Sequence, residues 1–323
     1  MKKILTGIKP SGVIHLGNYL GMIKEVIEFQ GKYEIFLMIA DLHAQTVPYS
    51  PKELRKLTLD IAKSLVALGV DPKKTVLFKQ SDVPAHLYLY WILGCLVSEG
   101  DLRRMHEYKE QKEKHKENVG AGILMYPVLM AADILIYNAD LVPVGKDQEQ
   151  HLELTRELVR KFNNKFGKLF KIPQVYIPSE TSKIMSLTNP LKKMSKSEPE
   201  GCLEIFENEK RIKEKILKAV TDSEAVVKYD PEKKPGISNL MTIYKYLTKK
   251  SYHEIEEEFK NKGYYEFKLA VYKAFMNFFK EKRERKKRLS DSYIQKLLIL
   301  GAKKANKVAN ENLEKILKAT GLR

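Results

Sequence analysis

The chain has 323 residues, 43% hydrophobic and 31% charged, which allows about two folded domains with a sizeable core and excludes a disordered chain. Its formal net charge of +17 favours polyanionic partners, nucleic acid first, although lysines spread along the whole chain also fit a general lysine bias. Only Cys95 and Cys202 occur, without a CxxC, and the seven histidines lack HxxxH spacing, which excludes a disulfide framework and a cysteine-rich zinc or iron–sulfur site. No signal region follows Met1, and no apolar run reaches membrane-spanning length. A soluble cytoplasmic protein without a membrane partner is expected.

The first half alternates strand and helix. Lys3–Ile8 reads as a strand, and a helix follows from about Gly17 to Phe29. Glu34–Ile39 is a continuous apolar run ending in Asp41, the pattern of a buried parallel strand. Ser50-Pro51-Lys52-Glu53 is a capping box with proline at the first helical position, opening a helix that ends near Gly69. Thr75–Phe78 is the third strand. This order predicts an α/β doubly wound parallel sheet with ligands at the carboxyl ends of its strands.

Helices are expected over Pro84–Glu117 and Tyr126–Tyr137, a strand over Leu141–Val144, and a helix over Asp147–Phe162 opened by a carboxylate cap at Asp147. After about residue 206 the strand pattern fades into helices over Glu207–Val220, Asn239–Leu247, Ser251–Lys260, Tyr264–Leu289 and Tyr293–Leu317. Two domains are therefore expected, 1–206 with a helical insertion at about 84–140, and a helical 207–293. The last helix, about 294–320, has the option of packing back on the first. The basic run Lys280–Arg288 reads either as a solvated helix face or as a polyanion-binding one.

Two short segments carry chemistry. Lys193-Met194-Ser195-Lys196-Ser197 places two ammonium groups three residues apart, which suits a polyphosphate; the plain alternative is a solvated basic loop. Between the first strand and first helix lies Pro10-Ser11-Gly12-Val13-Ile14-His15-Leu16-Gly17-Asn18. A strand-to-helix turn presents unbonded N–H groups to an anion, His15 can donate to a phosphate oxygen, and Gly17 lets a flat purine approach the backbone. A core histidine beside a turn glycine explains that segment equally when it stands alone. Together the two are expected to close on one ATP from opposite ends of the sheet.

These segments resemble the HIGH-type and KMSKS signatures of class I aminoacyl-tRNA synthetases, in their tryptophan/tyrosine branch. The resemblance continues through Gly7–Gly12, Ala40–Ala44, Tyr126–Leu135, Pro143–His151, Lys183–Leu187, Ala219–Ser223 and Lys234–Leu240, in order and over nearly the whole chain. Asn18 replaces the last histidine of the general signature, as is usual in this branch, and Lys9 stands where many bacterial members carry glutamine.

The resemblance implies a Rossmann-like catalytic core followed by a helical domain that contacts the anticodon of tRNA, in a homodimer. The implied chemistry is attack of an amino-acid carboxylate on the α-phosphorus of ATP, then transfer of the aminoacyl group to the terminal ribose of tRNA. The substrate brings its own nucleophile, so catalysis rests on positioning and charge stabilisation. Catalytic roles are implied for His15, Lys193 and Lys196, with Ser195 and Ser197 adding hydrogen bonds. Lys9, Pro10, Ser11, Gly17, Asn18, Gly145, Lys146, Asp147, Ile184 and Met194 complete the implied ATP site. Mg²⁺ is expected to bridge the phosphates with little protein ligation. Lys112 stands where the family has a phosphate-closing lysine, but among so many neighbouring lysines a solvated face is the better reading there.

Asp133 decides the amino acid. It lies on a helix among Ala131, Ala132, Ile134 and Leu135, where a carboxylate requires hydrogen-bond donors. One reading is an aspartate satisfied by its own protein. The resemblance implies the other, an acceptor for the indole N–H of L-tryptophan, with Met130, Tyr126, Gln148, His43 and Leu5 around it. Tyrosine is the nearest alternative substrate; a nucleotidylyltransferase or a catalytically silent tRNA-binding paralogue are more distant ones.

Overall fold

The structure, a computed structural model, describes residues 1–115, 120–145, 148–177 and 184–323. The chain forms two compact units: Met1–Ser11, Glu25–Pro178 and Ser290–Arg323 make the first, and Gly12–Lys24 and Ser179–Leu289 the second.

The first unit is built on a five-stranded parallel sheet. Its strands are β1 (Lys3–Ile8), β2 (Glu34–Ile39), β3 (Thr75–Lys79), β4 (Leu141–Pro143) and β5 (Gln174–Tyr176), in the order β3-β2-β1-β4-β5. Strands β1 and β2 pair in register from Lys3↔Glu34 to Ile8↔Ile39, and β2 is buried on both faces, as its unbroken apolar run requires. The order reverses between β1 and β4, so the switch point lies at the carboxyl ends leading to Lys9 and Gly145. β5 has no counterpart in the sequence reading. It is only three residues long and starts directly after Pro173.

Helix Pro51–Leu68 begins where expected, with the Ser50 hydroxyl accepting from Glu53 N–H, and ends at Gly69, whose φ of 123° an L side chain would resist. The expected helical stretch from Pro84 resolves into Ala85–Gly94, Glu99–Arg103 and His106–His115. Ala121–Ile136 starts five residues earlier than expected and tolerates Pro127 inside it. It ends with Asn138 in the left-handed region (φ 53°) and Ala139 N–H donating to Ile134 O. Helix Glu149–Phe166 starts two residues later than expected; the proposed cap, Asp147, lies outside the described residues.

The last helix, Asp291–Thr320, packs on β3 and on helices Pro51–Leu68 and Ala85–Gly94. Its buried stripe is Leu298, Ala302, Ala305, Ala309, Leu313 and Ile316, one face at helical spacing. Small residues let it approach the sheet: a Cβ on Gly301 would sit 1.8 Å from Leu77 O.

The second unit gathers helices Glu209–Leu217, Pro235–Thr248, Tyr252–Glu258 and Tyr264–Arg288 around Phe267, Phe275 and Phe279, all fully buried. The Ser251–Glu254 capping box is complete in both directions. The basic run at the end of Tyr264–Arg288 is partly internal. Arg283 donates to Ile205 O and Glu207 O, and the Lys282 and Lys286 ammonium groups lie over the rings of Phe278 and Phe206.

Candidate active site

In the second unit the segment around His15 pairs with Leu203–Ile205, which follows the lysine turn in the chain. Leu16 N–H donates to Leu203 O at 2.9 Å and Ile205 N–H to Ile14 O at 3.1 Å, flanking an antiparallel pair His15–Glu204. Lys193–Ser197 belongs to none of the described strands of the five-stranded sheet. It forms a turn whose Met194 is buried, with Met194 N–H bonded to Ile184 O and its sulfur accepting from Leu203 N–H. Burying the one apolar residue of the pentamer turns Lys193, Ser195 and Lys196 away from the core. The Lys196 ammonium lies 3.4 Å from Gly12 O, and Gly12, at φ 146°, leaves room for the lysine stem. Ser195 and Ser197 hydroxyls share a 2.7 Å bond.

His15 is 6% exposed, and its Nδ1 is a buried atom without a partner among the described residues. Burial first, and then the charges of Lys196 and Lys193, push its pKa down to about 4. The ring is therefore neutral at pH 7 and offers one N–H donor without adding a proton to titrate. Gly17 leaves room beside it, since a Cβ there would meet the imidazole at 3.0 Å and the ring would have to shift. Asn18 Oδ1 accepts from His15 N–H at 3.2 Å, so this side chain fixes the turn. Ile184 is buried next to the turn's hairpin. This arrangement can bind an anion and strengthen its hold as negative charge grows.

The first unit holds the other candidates. Lys9, Pro10 and Ser11 follow β1, with Ser11 N–H bonded to Lys9 O, and Gly145 follows β4 in a turn closed by Gln148 N–H. Lys146 and Asp147 lie outside the described residues. Lys112 is exposed on helix His106–His115.

Asp133 is 1% exposed and accepts from three donors. His43 Nε2–H reaches Oδ2 at 2.8 Å, His86 Nδ1–H reaches Oδ1 at 2.6 Å, and Gln80 Nε2 spans both oxygens at 2.8 and 2.9 Å. Burial alone would raise its pKa; the bonds and charges of His43 and His86 outweigh that and hold the carboxyl below its ordinary value. An ionised carboxylate cannot donate, so His86 carries a proton on Nδ1, and its Nε2 lies within hydrogen-bond distance of Tyr137 OH at 2.9 Å. Burial and the Asp133 charge keep the Tyr137 hydroxyl protonated by raising its pKa. Asp41 braces this group by accepting from Ser81 N–H and Oγ, tying the loop after β2 to the loop after β3.

Met130 is one helical turn before Asp133, and Leu5 lies on β1 in the same core as Met130's neighbours. The Tyr126 ring lies edge-on to His43, and its hydroxyl shares a 2.5 Å bond with His151 Nε2. Gln80 and His86 are not among the residues expected from sequence, and the expectations give Tyr137 and His151 no role in the site. The only available signal was a histidine on the apolar face Ala85, His86, Leu89, Leu93 of its helix, and that pattern reads as core. Among the described residues no group of three or more His, Cys, Asp or Glu side chains could hold a metal ion.

The family described as tRNA synthetases class I (W and Y) matches residues 1–280. A tryptophan--tRNA ligase of Bacillus subtilis (strain 168) is 46% identical over 322 residues, covering 99% of this chain and 97% of its own length. That of Caldanaerobacter subterraneus subsp. tengcongensis is 45% identical, covering 100% and 99%. The fold matches a crystal structure of Campylobacter jejuni tryptophanyl-tRNA synthetase complexed with ADP and tryptophan, with TM-score 0.88, 37% identity and 99% of each chain covered. The Mycoplasma pneumoniae enzyme gives TM-score 0.90 at 36% identity, covering 100% and 98%. The chain belongs to the class I aminoacyl-tRNA synthetases of the tryptophan and tyrosine family and, within it, groups with the tryptophan--tRNA ligases.

Proposed function

We propose that this chain activates L-tryptophan with ATP, giving tryptophanyl-adenylate and pyrophosphate, and transfers tryptophan to the 3′-terminal ribose of tRNA(Trp). The observation that carries the choice of amino acid is the buried Asp133 carboxylate. His43, His86 and Gln80 already make four contacts to its two oxygens, so an indole N–H is accepted when one of these donors yields its place. An indole has one N–H on a flat apolar body, and Met130, Leu5 and Tyr126 supply matching surface. Tyr126, Gln148 and His43 are assigned to the ammonium, carboxylate and wall of the pocket.

His15, Lys193 and Lys196 act on the phosphates. A neutral His15 donates to the phosphate whose charge rises in the transition state, and the two lysines follow the departing pyrophosphate. Lys9, Pro10, Ser11, Gly17, Asn18, Gly145, Lys146, Asp147 and Ile184 line the nucleotide, with Met194 anchoring the lysine turn. Mg²⁺ enters with ATP as part of the substrate, bridging its phosphates with little protein ligation.

The functional domains are assigned as 1–206 catalytic, joined by the returning last helix, and 207–293 for the tRNA anticodon. The exposed Lys280, Arg285, Lys287 and Arg288 are candidates for phosphate contacts. A second copy is assigned to the apolar face of helix Ala85–Gly94, where Leu87, Tyr88 and Trp91 are 48, 60 and 71% exposed. Trp91→Glu should give monomers in sedimentation; an unchanged dimer would move the interface elsewhere. A cytoplasmic location fits the tRNA substrate and two cysteines outside any disulfide; no helix among the described residues is long and apolar enough to cross a membrane.

ATP–pyrophosphate exchange with each of the amino acids tests the whole reading. Exchange dependent on tryptophan is expected; exchange with tyrosine instead refutes the amino-acid assignment, and none at all favours a tRNA-binding paralogue.

A further inference from the structure

The segment Lys234-Pro235-Gly236-Ile237-Ser238-Asn239-Leu240 has no part in the chemistry above. We propose that Asn239 is a positioning residue for Lys193, acting through the backbone of Met185. The inference rests on the reading of Lys193 as a pyrophosphate ligand, and all the residues concerned belong to the second unit.

Met194 N–H donates to Ile184 O at 2.9 Å and Ser186 N–H to Lys192 O at 2.8 Å. These bonds flank the antiparallel pair Met185–Lys193. In that arrangement the two residues face each other without bonding each other, so the N–H and C=O of Met185 point to the opposite edge. Asn239 meets both groups: its Oδ1 accepts from Met185 N–H and its Nδ2 donates to Met185 O, each at 2.9 Å. The amide does there what a third strand would do, and at 5% exposure no water shares the task easily.

One turn earlier on the same helix face, Gly236 lies against Val220, where a Cβ would come within 2.1 Å of the carbonyl oxygen. Val220 N–H in turn donates to Leu187 O at 2.8 Å. Helix Pro235–Thr248 thus grips residue 185 directly and residue 187 through Val220, while residue 185 sets its cross-strand partner Lys193. Asparagine alone fits this role at this length. Aspartate lacks the donor, glutamine adds a methylene, and leucine of similar size lacks both polar atoms.

The test uses the full chain carrying Asn239→Leu, with Asn239→Asp as a second variant that keeps the acceptor and the size. Each is made alone and with Lys193→Ala, and ATP–pyrophosphate exchange is measured per active site beside equilibrium tryptophan binding. Asn239→Leu should lower the exchange kcat about 10-fold or more, with tryptophan affinity within about twofold. In the Lys193→Ala background the same change should cost less than about twofold, since the group it positions is gone. Equal losses in both backgrounds, or a change confined to melting temperature, make Asn239 a structural anchor and overturn the inference. A normal Asn239→Leu beside a crippled Lys193→Ala overturns the inference alone. Full exchange by Lys193→Ala overturns the pyrophosphate reading, and the inference with it.

Discussion

The Asp133 centre and the His15–Lys193–Lys196 centre solve opposite electrostatic problems. The first buries one negative charge and surrounds it with donors from three separate elements, so that the charge persists at low solvent access. The second gathers positive charge beside an imidazole that is kept neutral. A buried, largely satisfied acceptor discriminates ligands, because a wrong one leaves a polar group unmatched. Cations on a turn instead respond to charge that moves during reaction. With the roles proposed above, selection and catalysis are housed in different chemistry.

The largest effect that can break this contrast is expected at Lys196. Lys196→Ala should reduce ATP–pyrophosphate exchange about 100- to 1,000-fold while tryptophan binding changes little; a loss shared equally between the two would erase the division. Asp133→Ala comes next. Tryptophan kcat/KM should fall about 100-fold or more with the KM for ATP within a few-fold, and the unpaired His86 and Gln80 should lower stability as well. A parallel rise in both KM values would place Asp133 outside the amino-acid pocket.

The smallest effect is a titration. His15 should titrate near pH 4 by NMR in the unliganded protein, and its pKa should rise when inorganic pyrophosphate offsets the lysines. Its folded-state pKa lies below the ordinary 6.5, so the stability it contributes is present above about pH 6.5 and is lost as pH falls through about 4. An ordinary pKa unmoved by pyrophosphate would separate His15 from the lysine turn.

The sheet was legible where burial on both faces writes an unbroken apolar run, as in Glu34–Ile39, and illegible where three residues suffice, as in Gln174–Tyr176. Helix limits were legible at Ser50 and Ser251 because capping chemistry is local. Lys193–Ser197 and His15–Asn18 were recognisable because phosphate chemistry needs those residue types close together in sequence. The contact of Lys196 with Gly12 was not legible, because it depends on Met194 inserting into the core and fixing the turn. Gln80 and His86 escaped notice because their common partner, Asp133, is reached through the fold, and each looks like an ordinary core or strand-end residue in its own segment; Tyr137 joins the group only through His86.

If Asp133 takes the indole N–H, equilibrium binding will distinguish tryptophan from the analogue in which sulfur replaces the indole N–H, measured on the unmodified chain and on Asp133→Ala. The unmodified chain should prefer tryptophan by about 100-fold or more, and Asp133→Ala should bind the two nearly equally. Equal binding of both by the unmodified chain would contradict that role of Asp133.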